Sequence, residues 1–223
     1  MKLHSLTILI GTFIIGISFT TALAFHKKAK PTYFRYVFAF IILGLLMSVN
    51  TITSNYYTWR FGLKSRILIE QLLILLQYIM LYLFFVDLMK KSAFVKKIKW
   101  LFLLSLPPLI GLIFIVHIAN VEIRSSILPN LILLVFCFYY LKDLMNNKPT
   151  LVLIHSSAFW LVMGIFFSSC ICFPVGSMMP FISKDLEYSN LRYQIFSIYN
   201  MSVIILYLFI IKSYICLMRP QNL

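Results

Sequence analysis

The sequence predicts an all-α, polytopic membrane protein built as a bundle of seven transmembrane helices. Three observations carry that prediction. The 223 residues are 61% hydrophobic and only 12% charged, against about 45–50% and about 25% in soluble domains. The mean hydropathy is +0.94. Apolar runs long enough to cross a bilayer, at about 20 residues each, recur along the whole chain. Such a composition leaves too little polar surface to coat a globule in water. It excludes a soluble enzyme, a disordered tail and a nucleic-acid-binding domain. Residues 1–223 read as a single transmembrane domain.

The first run spans Ser5–Phe25 and stops at His26, Lys27, Lys28 and Lys30. Lys2 and Ala22-Leu23-Ala24 resemble a cleavable signal, but the run exceeds the apolar core of about 7–15 residues such signals carry. Cleavage would also leave the basic cluster on the translocated side, so retention as a helix is expected. The second run, Phe34–Ser54, ends at Asn55, Tyr56, Tyr57, Trp59 and Arg60. The third, Ile67–Leu88, is followed by Lys90, Lys91, Lys96, Lys97 and Lys99. The fourth is Trp100–Ala119, and the fifth, Ile127–Leu141, is the shortest. The sixth, Leu151–Met179, is long enough to tilt or break near Pro174, and the seventh is Ile195–Leu217. Alternation of period two is absent and the runs are too long for barrel strands, so each is read as a helix. Pro107, Pro108 and Pro174 are expected to bend or break their helices.

The formal charge of +14 has a topological source, because cytoplasmic loops of membrane proteins collect Lys and Arg. One set of alternate breaks holds Lys27, Lys28, Lys30 and Arg35, the five lysines after the third run, Lys142, Lys148, Lys212 and Arg219. The other holds Lys2, Arg60, Lys64, Arg66, Arg124, Lys184 and Arg192. Thirteen against seven places the N-terminus outside and the C-terminus in the cytoplasm. Tyr56, Tyr57 and Trp59 on one side, with Tyr33, Tyr36 and Trp100 on the other, fit two interfacial aromatic belts.

Amide, carboxylate and imidazole groups inside a span are costly and normally face other helices or a wet cavity. Six of them fall in the outer half of this topology: Asn50, Glu70, Gln77, His117, Asn130 and Asn200. Glu70 and Gln77 lie one heptad apart on a shared stripe, and Arg66 stands one turn before Glu70 as an ion-pair partner. The expected site is an outward-facing cavity among the second, third, fourth, fifth and seventh helices, holding a small-molecule ligand. The inner halves read as Leu, Ile, Phe and Val, with His155 and Lys212 close enough to the headgroups to be solvated.

Catalytic constellations are missing. There is no His-Glu-x-x-His, no Gly-x-Ser-x-Gly and no phosphate-cradling glycine loop. Glu70 is the only glutamate in or near a span, too few for a paired-carboxylate protease. Cys137, Cys170, Cys172 and Cys216 lie in or beside apolar runs and read as small packers. Cys170 and Cys172 point roughly 200° apart on a helix and share no metal face. The chain is expected to be no enzyme, with no cofactor and no metal.

The layout, together with the sixth-helix run Ala158-Phe159-Trp160-Leu161-Val162-Met163-Gly164, resembles the heptahelical sensor modules that precede histidine kinase domains in bacteria. It is also similar to free-standing seven-helix proteins of bacteria with Lys-, Ile-, Phe- and Asn-rich sequences. The resemblance implies a multi-pass protein of the inner (plasma) membrane. It would sense a small ligand or membrane state from the outer side, its sixth and seventh helices would shift, and a separate signalling protein would be its partner. The kinase domain itself is not expected after Leu223. The second reading is a transporter or channel component, which needs a polar path continuing inward.

Overall fold

The computed structural model describes residues 3–26, 31–53, 63–119, 127–147, 156–178 and 189–218. They form seven α-helices: α1 Leu3–His26, α2 Phe34–Ile52, α3 Leu63–Leu88, α4 Val95–Ala119, α5 Ile127–Asn147, α6 Ser157–Met178 and α7 Ser189–Met218. No strand occurs among the described residues. Each helix contains a stretch long and apolar enough to cross a membrane. The chain is a multi-pass helical bundle.

Several boundaries differ from the sequence reading: α3 begins at Leu63 rather than Ile67 and α4 at Val95 rather than Trp100. Helix α5 runs to Asn147 rather than Leu141, because Lys142–Asn147 continue the helix as a polar end beyond the apolar run. Helix α7 begins at Ser189 for the same reason. The sixth helix starts at Ser157, and residues 151–155, His155 among them, lie outside the described residues. The prolines do not break their helices: Pro107 and Pro108 sit inside α4 and Pro174 inside α6. All three are exposed on the bundle surface, where the ring meets no neighbouring helix and only single backbone bonds are lost.

Successive helices pack against one another, α7 closes the circle on α1, and α3 touches α5 directly. That last contact leaves α4 on the outside. The helices alternate in direction. Thr32 before α2 and Asp87 at the end of α3 are hydrogen-bonded, as are Ser92 and Asp143 at the end of α5. Tyr33 reaches Ser157 at the start of α6. This shared end is termed the C-terminal end of the bundle; the beginnings of α1, α3, α5 and α7 make the N-terminal end.

Outward-facing Leu9, Phe13, Leu46, Leu104, Phe114 and Phe138 are exposed, a liability in water but the surface a lipid-facing helix requires. Lipid tails are as apolar as leucine, so helix association rests on close packing rather than on removal from water. The most extensive interface, α6 with α7, shows how this is achieved. Gly164, Ser168 and Cys172 recur at four-residue spacing on α6. A Cβ at Gly164 would lie 2.6 Å from the Cβ of Phe209, and Cys172 Sγ meets Ser202 Oγ at 2.8 Å. Small residues on one helix thus admit the backbone of the other.

Candidate functional site: a cavity at the N-terminal end

A cavity of about 220 Å³ opens among α1, α2, α3, α5, α6 and α7. Its apolar walls include Ile8, Ile15, Phe40, Met47, Ile74, Leu133, Ile165 and Leu206. Its polar groups include those of Thr7, Thr12, Ser48, Thr51, Gln77, Asn130, Ser168, Ser169, Tyr199 and Asn200. Among the described residues no lining side chain carries a formal charge. Most lining residues come from the helix halves nearer the N-terminal end, while Phe40, Leu81, Ile165, Leu206 and Tyr207 close the cavity from just past mid-helix.

The polar groups fall into two kinds. Several hydroxyls are satisfied within their own helix: Thr12 donates to the Ile8 carbonyl at 3.0 Å, Ser48 to Gly44 at 3.0 Å and Thr51 to Met47 at 2.9 Å. Their lone pairs still face outward as acceptors. The three amides are different. Gln77, Asn130 and Asn200 line the cavity from three separate helices, and among the described residues none of them has a hydrogen-bond partner. Each amide offers two donor hydrogens and an accepting oxygen, so the cavity presents unmet capacity for both.

Gly44 sets one wall. A Cβ there would overlap the Tyr207 hydroxyl and lie 3.7 Å from Gln77 Nε2. The missing side chain therefore lets Tyr207 reach across from α7 to α2. Tyr207 stacks on Phe40 with ring centroids 6.0 Å apart. Beyond this layer the interior is filled. Phe34, Ile41, Phe84, Phe85, Phe136, Leu161, Val162 and Tyr214 are all buried to within 2%. Phe34 and Tyr214 pack at 4.8 Å, and Phe85 and Phe136 at 5.6 Å.

Of the residues the sequence singles out, the structure brings Gln77, Asn130 and Asn200 to one cavity. Asn50 is buried, but it does not line the cavity, and neither of its amide atoms has a hydrogen-bond partner. Its position follows from the helical screw: α2 presents Gly44, Ser48 and Thr51 to the cavity, and Asn50 is rotated off that face. Glu70 is half-buried and also stands apart, two turns from Gln77 along α3. The His117 side chain and the Arg66 side chain lie outside the described residues. Among the described residues α4 contributes nothing to the lining, because the α3–α5 contact separates it from the interior. Helices α1 and α6 take part instead. Their Thr7, Thr12, Ser168 and Ser169 carry only a weak signal, since a hydroxyl that bonds its own helix is tolerated anywhere in a span.

A second correction concerns the C-terminal end, which is more polar inside than its sequence suggests. Tyr33 Oη and Ser157 Oγ are 3.2 Å apart, and Ser213 Oγ donates to the Ser157 carbonyl at 2.8 Å. Ser92 Oγ donates to Asp143 at 2.7 Å, Thr32 donates to Asp87, and Lys90 pairs with Asp87 at 3.6 Å. Burial pushes the Tyr33 phenol above its ordinary value against the opposing Ser157 bond, and the Asp87 carboxylate adds to the rise. Lys212 lies over the Trp160 ring at 5.6 Å, a cation held at the rim by an aromatic face. No group of three or more metal-ligating side chains occurs among the described residues.

Comparison with known proteins returns no match to a family model, a curated protein or a solved structure.

Proposed function

We propose that the protein is a receptor- or sensor-type protein of a bacterial plasma membrane, oriented with the N-terminus outside. A small ligand enters the cavity from the outer side, and the cytoplasmic end reports to a separate partner. The observation that carries this reading is the convergence of Gln77, Asn130 and Asn200, without hydrogen-bond partners among the described residues, on one cavity.

Helix α7 links the two ends. It contributes Tyr199, Asn200, Val203, Leu206 and Tyr207 to the cavity and Ser213 to the bonds at the other end. A ligand that favours one setting of α7 against α6 shifts the population of both ends together. A sensor needs only a pocket closed on the inner side, and the buried aromatic layer supports such closure. A transporter needs the same groups to become accessible from the cytoplasm.

Accessibility scanning separates these outcomes. On a background with the four native cysteines replaced, Gln77→Cys and Asn200→Cys should react with an impermeant thiol reagent from the outer side only. Reaction of position 77 from the cytoplasmic side, under any condition, replaces the sensor by the transporter or channel. Reporter fusions after Lys30 and Lys99 should read cytoplasm and one after Arg60 the outside; a cytoplasmic signal at Arg60 inverts the orientation.

A further inference from the structure

We infer that the cavity selects an uncharged amphiphile: an apolar body bearing one or two neutral hydrogen-bonding groups, such as an amide or alcohol. The inference rests on the cavity being the ligand site and goes further in naming what fits there.

The lining excludes charge on energetic grounds. Among the described residues no Asp, Glu, Lys, Arg or His lines it, and Glu70 lies two turns away along α3. Moving an ion from water into a site without a counter-charge costs several kcal/mol even after relaxation. A neutral polar group costs far less to desolvate, and hydrogen bonds to the waiting amides offset that cost. The lining also argues against a wholly apolar guest, which would leave Gln77, Asn130 and Asn200 buried and unpaired. Conversely, Ile8, Ile15, Phe40, Met47, Ile74 and Leu206 give the wall an apolar share that a sugar-like ligand, polar on every side, would meet with unpaired hydroxyls. The volume of about 220 Å³ limits the guest to a small molecule, of the order of a single substituted ring.

Cys172 supplies the readout, because it lines the cavity while being buried from outside. In the full-length protein, Cys137, Cys170 and Cys216 are replaced by Ala, and alkylation of Cys172 by N-ethylmaleimide is timed. Three probes of matched size are then added in turn: neutral benzamide, anionic benzoate and cationic benzylamine. Benzamide should slow alkylation about tenfold more than either ion, the factor corresponding to about 1.4 kcal/mol of preference. Gln77→Glu, or Asn200→Asp if the first fails to fold, should transfer the protection to benzylamine by placing a counter-charge in the wall. Equal or better protection by benzoate or benzylamine in the parent protein overturns the neutral class and leaves the ligand site standing. Protection by none of the three also overturns the class. Failure of N-ethylmaleimide to reach Cys172 at all overturns the ligand site itself.

Discussion

Around the cavity, Gln77, Asn130 and Asn200 contribute amides from three helices to one lining. At the opposite end Tyr33, Ser157 and Ser213 spend their hydrogen-bonding capacity on one another, and Ser92 and Thr32 spend theirs on Asp143 and Asp87. Both ends place polar groups among apolar helices, where an unmet donor or acceptor is expensive. They answer that expense differently. The C-terminal end, the Tyr214 hydroxyl apart, is sewn together and gains definition from its bonds, whereas the N-terminal end carries unmet groups that a guest or water can satisfy. A pocket awaiting a ligand and a fixed structural end are thus distinguishable by who satisfies the polar atoms, not by how many there are.

Backbone spacing provides the largest test of this contrast. In the packed part of the bundle, Gly164→Ala sets a methyl 2.6 Å from the Phe209 Cβ, an atom fixed to its helix. The backbones must part, at a cost of about 1–3 kcal/mol. Beside the cavity, Gly11→Ala meets only Ile204 Cγ1 at 3.7 Å, an ordinary contact. Thermal unfolding of the purified proteins should therefore show a clear loss for Gly164→Ala and almost none for Gly11→Ala. Equal losses would mean that the N-terminal end is packed as tightly as the rest.

Two tyrosines at the C-terminal end give a smaller effect with opposite signs. Tyr33 is bonded to Ser157, so Tyr33→Phe should lose about 0.5–1.5 kcal/mol of stability. The Tyr214 hydroxyl is buried and has no hydrogen-bond partner among the described residues. Tyr214→Phe removes a polar group left unsatisfied and should raise stability by about 1 kcal/mol. Destabilisation by both substitutions would show that Tyr214 belongs to the bonded cluster.

These residues also mark where the sequence is readable. Seven helices follow from composition and run length, since a bilayer fixes both. Gln77, Asn130 and Asn200 stand out because an amide in a span must find a partner. Ser48, Thr51, Ser168 and Ser169 do not stand out, because the helix itself can accept their bonds. Tyr33 reads as an interfacial aromatic, and its bond to Ser157, 124 residues away, is a product of tertiary arrangement. The exclusion of α4 is equally invisible locally: its stretch is no more apolar than the others, and only the direct meeting of α3 with α5 places it outside.

The smallest expected effect is the pH dependence of the bonded end. The Tyr33 phenol is held above its ordinary value of 10.0, chiefly by burial, with the Asp87 carboxylate adding to the rise and the Ser157 bond opposing it. Between 10.0 and the raised folded value, the folded chain keeps a proton that the unfolded chain has released. Stability from this group is therefore fully present below pH 10.0 and declines as pH rises through the folded value. Thermal unfolding followed from pH 8 to 11 should show a decline above pH 10.0 that is shallower in Tyr33→Phe, because that variant has no proton to lose there. The other tyrosines titrate in both proteins, so the difference between the two curves isolates position 33. Superimposable declines would place Tyr33 in contact with water and detach it from the bonded cluster. Asn130→Leu at the cavity, by contrast, should leave the difference between those curves unchanged, since an amide does not titrate across this range and lies at the other end of the bundle.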